Sequence, residues 1–157
     1  MAATTPTGTR CGCRHPGDCV GRRAGRYLTA VYWLRDDGER VTTGAVSDRL
    51  GVAPASVTEM FERLAADGFL DYEQHAGVAL TDRGGRVASE LAWRQCVVRT
   101  FFAAELGLES DARRGYRVGY ALPGDGVEEL RRLVDHAAAD CCRGDASGDC
   151  RCAAIAE

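Results

Sequence analysis

Eight cysteines and three histidines give this 157-residue chain most of its capacity for chemistry. Seven of the cysteines fall in two short polar segments, Cys11, Cys13 and Cys19 as C-x-C-x5-C, and Cys141, Cys142, Cys150 and Cys152 as CC-x7-C-x-C. Cys96 stands apart, beside Val97 and Val98. Thiolates clustered in loops that contain Gly and Asp suit soft or borderline metals, so Zn(II), Cu(I) or an iron–sulfur cluster is expected there rather than a hard cation. Arg10, Arg14, Arg143 and Arg151 flank the clusters, and positive charge favours thiolate over thiol for metal binding and for oxidation alike. Neither spacing is the two-residue gap of a zinc knuckle, and His15 and His136 are the nearest additional donors. Cys96 reads either as a sensing thiol or as a small buried core residue.

The rest of the composition narrows the setting. Hydrophobic residues at 45% and charged residues at 27% describe a folding chain of about one domain, with no room for a large catalytic barrel. No stretch has the length and apolarity of a membrane span, and MAATTPTGTR lacks the apolar core of a signal peptide, so a cytoplasmic protein with reduced thiols is expected. All 20 basic residues are Arg, and the net charge of −3 excludes a wholesale electrostatic attachment to nucleic acid. Any DNA contact must be local. No nucleophile has a paired base and no glycine loop cradles phosphate, so an enzyme is not expected.

Periodicity supplies the elements that must position these residues. Residues 1–25 read as a Cys-containing tail. From Arg26, Tyr27, Ala30, Val31 and Leu34 repeat at helical spacing, and Asp37-Gly38 stops the run. VTTGAVSDRLG follows as a short helix, with Thr42 or Thr43 as N-cap and Gly51 as a left-handed stop. Pro54 then opens a third helix whose apolar stripe is Val57, Met60, Phe61 and Leu64, ending at Gly68. FLDYEQHAGVALT reads as a β-hairpin turning at His75 to Gly77. A long helix from about Asp82 to Leu106 stops at Gly107, a further one runs from Asp111 to Leu122, and Asp125 with Glu128 predicts a capping box for a last helix. The fold expected is mainly α. An N-terminal winged helix-turn-helix (26–84) is followed by a helical dimerisation domain (85–139) and a Cys-rich tail (140–157).

In a helix-turn-helix the second helix carries short polar side chains into the major groove. Here the third helix turns Ala55, Ser56, Thr58, Glu59 and Arg63 outward, and Thr43 opens the helix before it. Hydroxyls suit phosphate or base edges, Ala a thymine methyl, Glu59 a cytosine amine and Arg63 a phosphate. His75 at the hairpin tip would add a second contact.

These residues resemble the diphtheria-toxin-repressor-like, manganese-regulator-type (DtxR/MntR) metalloregulators. The likeness is carried by RYLTAVYWL, VAPASVTEMFERLAADGFLDYE, GVALTDRGGRVA and ALPGDGVEELRRL, and it runs from about Arg26 to Asp135. It implies a homodimeric winged-helix repressor that binds double-stranded DNA at a palindromic operator, with iron or manganese as corepressor. It also implies ligand positions at Arg26 and Thr29, at Cys96 and Thr100, and at Tyr116, Gly119 and Tyr120. Only Cys96 is a good donor among them. The expectation is therefore a DNA-binding regulator that answers to a transition metal (iron, manganese or zinc), to an iron–sulfur cluster or to thiol oxidation. Cys11, Cys13, Cys19, Cys96, Cys141, Cys142, Cys150 and Cys152 are its expected ligands. The rival expectation is a metal-binding adaptor that uses the winged helix to bind protein.

Overall fold

The structure, a computed structural model, describes residues 15–36 and 38–135. Cys11, Cys13, Cys141, Cys142, Cys150, Cys152 and His136 lie outside the described residues. The chain divides into two compact units, one of residues 20–88 and the other, among the described residues, of 15–19 with 89–135.

The first unit is built on three helices and a hairpin: α1 (Arg22–Leu34), α2 (Thr43–Leu50), α3 (Pro54–Ala66), β1 (Leu70–Glu73) and β2 (Gly77–Leu80). α1 begins four residues before the sequence reading placed it, because Gly21 adopts extended backbone as N-cap and Gly25 N–H already bonds back to Gly21. Arg22 to Gly25 carry no apolar rhythm, which is why they read as tail. Thr42 is the N-cap of α2, its hydroxyl accepting from Ala45 N–H at 3.1 Å, and Gly51 ends the helix at φ 65°. Leu28, Val31, Val46, Val57, Phe61, Leu64 and Val78 are at most 1% exposed, so each element contributes its apolar stripe to one core. β1 and β2 pair antiparallel with Leu70 opposite Leu80 and Glu73 opposite Gly77. Val41 adds a further rung, exchanging two 2.8 Å bonds with Val78. This rung explains Gly77: a Cβ there would lie 3.0 Å from the Val41 carbonyl carbon and closer still to its oxygen. A mainly helical winged helix-turn-helix is what forms.

α4 (Asp82–Leu106) enters the second unit, which also holds α5 (Ala112–Ala121) and α6 (Gly124–Leu133). Every residue of α4 from 87 to 98 is buried. Asp111 caps α5 by accepting from Arg114 N–H at 2.7 Å, and Gly107 breaks α4 at φ 62°. The predicted capping box of α6 does not form. The helix starts at Gly124 with Pro123 as N-cap and no side-chain cap, Asp125 accepts from Gly126 N–H, and Glu128 turns to Arg131 instead. Proline supplies the extended entry geometry on its own, leaving both carboxylates for other partners. Among the described residues no helix is long and apolar enough to cross a membrane.

Candidate nucleic-acid interface and the cysteine-bearing unit

In the first unit the start of α2, the outer face of α3 and the hairpin enclose an open cleft of about 390 Å³. Thr43, Thr58 and His75 line it, together with Gly44, Tyr72 and Gln74. The Thr58 hydroxyl donates to the Pro54 carbonyl at 3.2 Å, which orients it and leaves its lone pairs available. Ala55, Glu59 and Arg63 are exposed along α3 and Ser56 is half-buried, while Val57, Met60, Phe61 and Leu64 face inward. His75 sits exposed at the hairpin turn with φ 68°, a left-handed conformation that few non-glycine residues take. Arg40 is not available to a phosphate in the same way, since Asp71 holds it at 2.9 Å and Glu73 at 3.4 Å. The sequence did not single out Arg40, and only the hairpin register brings its partners to it.

The second unit contains the two described cysteines. Cys19 and Cys96 are both disulfide-bonded, and Cys96 is 2% exposed. A sulfur in that form is not a thiolate donor, so metal binding through either one requires reduction first. Immediately before Cys19 lies a short 3-10 turn, Pro16–Asp18, headed by His15. The His15 ring meets Tyr120 edge-on, with centroids 5.6 Å apart, and its Nε2 lies 3.1 Å from the Leu122 carbonyl. Its Nδ1 accepts from Gly17 N–H at 2.9 Å, so the ring proton is on Nε2, which donates to Leu122.

The same carbonyl receives Arg94. This guanidinium is fully buried, bonds Glu90 at 3.1 Å, and donates to the carbonyls of Gly119 (3.0 Å) and Leu122. A charge at zero exposure is tolerated only because a carboxylate and these helix-end carbonyls surround it. α5 approaches α4 closely at two glycines. A Cβ on Gly119 would lie 2.9 Å from the Arg94 carbonyl carbon, and one on Gly115 would lie 2.5 Å from the Arg99 side chain. Gln95 and Arg99 complete the seam by donating to the carbonyls of Ala112 (2.7 Å) and Ser110 (2.9 Å). The sequence reading missed this seam. Its signals were the four-residue spacings of Gly115 and Gly119 and of Glu90 and Arg94.

The positions that the family resemblance marks as metal ligands do not fit a hard divalent ion. Arg26 donates to the Leu50 carbonyl at 3.3 Å, and the Thr29 and Thr100 hydroxyls each donate to their own helix at 2.8 Å. Gly119 has no room for a carboxylate, and Tyr120 is covered by His15. Among the described residues no three His, Cys, Asp or Glu gather where one ion would reach them.

Three helices, a tight α2–α3 link and a wing around an open cleft define the winged helix-turn-helix class of DNA-binding domain. The profile described as "Iron dependent repressor, N-terminal DNA binding domain" matches residues 20–78, the segment that holds α1, α2, α3 and most of the hairpin. The chain is 32% identical over 75 residues to the HTH-type transcriptional regulator MntR of Oceanobacillus iheyensis, covering 48% of this chain and 51% of that protein. It thus spans about half the length of that curated relative. Among solved structures it is similar to the manganese regulator SloR (21% identity, TM-score 0.63, 73% of this chain and 54% of that one). It is likewise similar to ScaR with bound Zn2+ (26%, 0.56, again 73% and 54%). A manganese-dependent transcriptional repressor in complex with manganese also shares the fold (24%, 0.62, 73% and 53%).

Proposed function

We propose that this protein is a non-enzymatic, homodimeric, cytoplasmic transcription regulator, most simply a repressor. It binds double-stranded DNA at a palindromic operator and takes its input through cysteine sulfur rather than through carboxylate and imidazole ligands. The observation that carries this reading is the open cleft between α2, α3 and the wing, within a segment matched by a DNA-binding domain family. Thr43, Ala55, Ser56, Thr58, Glu59, Arg63 and His75 are the proposed DNA contacts, the hydroxyls and His75 along the cleft and the remainder along α3. A dimer is supported by Leu106, Leu108 and Leu133, which are 52%, 56% and 64% exposed in the second unit. Two copies would have to present their recognition helices about 34 Å apart to read one palindrome.

The input is a transition metal held by reduced thiolates, an iron–sulfur cluster, or the oxidation state of the thiols themselves. Cys11, Cys13, Cys19, Cys96, Cys141, Cys142, Cys150 and Cys152 are the proposed donors. The relatives named for manganese support metal responsiveness, and the poor fit of the family's ligand positions favours sulfur as the receiver. A ligand of either kind regulates only by binding the two dimer arrangements with different affinity. A gel-shift titration on DNA from upstream of the protein's own gene, with chelator, metal, reductant or oxidant, tests it. The expected result is a specific complex whose affinity changes with at least one addition. No specific complex under any condition would leave the metal-binding adaptor.

A further inference from the structure

We propose that Arg40 is a positioning residue for DNA binding: its guanidinium grips the closing pair of the wing turn and so sets where Gln74, His75 and Ala76 stand along the cleft. This rests on the regulator reading above and names the residue through which the wing of that site is aimed.

Arg40 Nη1 donates to the Asp71 carbonyl at 2.9 Å and to the Gly77 carbonyl at 3.3 Å. Nη2 donates to the Asp71 carboxylate at 2.9 Å, and Nε lies 3.4 Å from the Glu73 carboxylate. Glu73 and Gly77 are the last register pair of the hairpin, so Arg40 holds both ends of the turn between them. That turn carries Gln74, His75 and Ala76, all of which line the cleft with Thr43 and Thr58. Arg40 is itself anchored by its neighbour Val41, which exchanges two bonds with Val78. One side chain therefore links the Val41 rung, β2 and β1.

Alternation along β1 puts the grip on the outer face. Tyr72 turns toward Phe61, with ring centroids 6.0 Å apart, so Asp71 and Glu73 on either side of it stand on the opposite face of the hairpin. Both carboxylates are 65% exposed there, and Arg40 is the cation they share. Ion pairs this exposed add little to stability, and Arg40 is not one of the buried core residues. The arrangement therefore bears on where the turn stands more than on whether the domain folds. A planar guanidinium fork can meet two carbonyls and two carboxylates together, whereas an ammonium of the same charge is a point donor. Arg40→Lys thus separates aim from charge.

Hydrogen–deuterium exchange of the free protein is the first measurement, because Ala76 N–H, bonded to the Glu73 carbonyl at 3.0 Å, reports the turn directly. The peptide covering 73–78 is expected to exchange about fivefold faster in Arg40→Lys, with α3 unchanged. Fluorescence anisotropy on DNA from upstream of the protein's own gene is the second. Arg40→Lys is expected to weaken the complex about tenfold without altering the slope of log K against log salt, because no phosphate contact is lost. A Gln74→Ala/His75→Gly background strips the tip while glycine keeps the left-handed turn unstrained, and there the same substitution should cost about twofold or less. Wild-type affinity in Arg40→Lys would overturn the proposal. So would an equal loss with and without the tip, which would make Arg40 a DNA contact in its own right. Unchanged exchange at 73–78 would overturn it as well, and so would loss of the folded state in Arg40→Lys, which would make Arg40 a residue of the fold. Absence of a specific complex with the wild-type protein defeats the regulator reading, while the exchange result still decides whether Arg40 sets the turn.

Discussion

Arg94 is the fully buried cation of the second unit, paired with Glu90. Its side chain and that of Glu90 are 1% and 2% exposed, and the outlying atoms Glu90 Oε2 and Arg94 Nη2 have no partner among the described residues. Removing one member of such a pair strands the other in an apolar interior. Arg94→Met is therefore expected to lower unfolding free energy by about 3–5 kcal/mol, read from urea denaturation. The double variant Glu90→Leu/Arg94→Met should recover part of that loss, leaving the deficit due to the Gly119 and Leu122 carbonyls. A gentler electrostatic contribution comes from Glu128. Its carboxyl is held below the ordinary value of 4.5 by a hydrogen bond from Arg131, against some burial, with Arg131 and Arg132 adding attraction. A carboxyl depressed in the folded state stabilises at neutral pH, and that contribution disappears as pH falls through the folded value. Melting of wild type and Glu128→Gln, compared from about pH 7 down to about pH 3, should show a gap that closes on acidification.

At the scale of elements, α5 comes close to α4 in the second unit, and glycine makes it possible. Gly119→Ala would press a methyl against the Arg94 backbone and should cost about 1–3 kcal/mol, because a peptide plane cannot swing aside as a flexible side chain can. Gly119→Glu, which restores a carboxylate where the family resemblance implies one, is expected to lower the melting temperature further, with no recovery on adding Mn2+. Most elements were legible in the chain itself. Thr42, Gly51, Pro54 and Asp111 announce helix ends by capping chemistry, and the apolar stripes of α1 and α3 announce their buried faces. The recognition face of α3 follows from its stripe, since what does not point inward must point outward. The seam around Gly115, Gly119 and Arg94 was not legible, because glycine has no side chain to show a period and a buried arginine looks like a surface one. The start of α6 was misjudged because Asp125 and Glu128 carry capping spacing but serve other partners.

For the molecule as a whole, charge decides how it meets a polyanion. The net charge of −3 and the neutralisation of Arg40 by Asp71 and Glu73 leave Arg63 as the α3 cation in no ion pair among the described residues. Binding should therefore rely on neutral hydroxyl and backbone donors more than on released counterions. Arg63→Gln should weaken DNA binding across all sequences and reduce the slope of log K against log salt by about 1 per subunit. That is measured by fluorescence anisotropy over a salt series. An unchanged slope would place Arg63 away from phosphate.

The shared acceptor at the end of α5 has a practical consequence. Leu122 precedes Pro123, and among the 4 prolines of the chain this is the sole Leu–Pro junction. Carbon-13 carbonyl leucine combined with nitrogen-15 proline would light up that one peptide bond in a spectrum of the intact protein. Because His15 and Arg94 both donate to its oxygen, the resonance would register the departure of either donor as a change in shielding. A single atom thereby becomes a gauge of both fastenings, readable in solution and without a probe foreign to the chain.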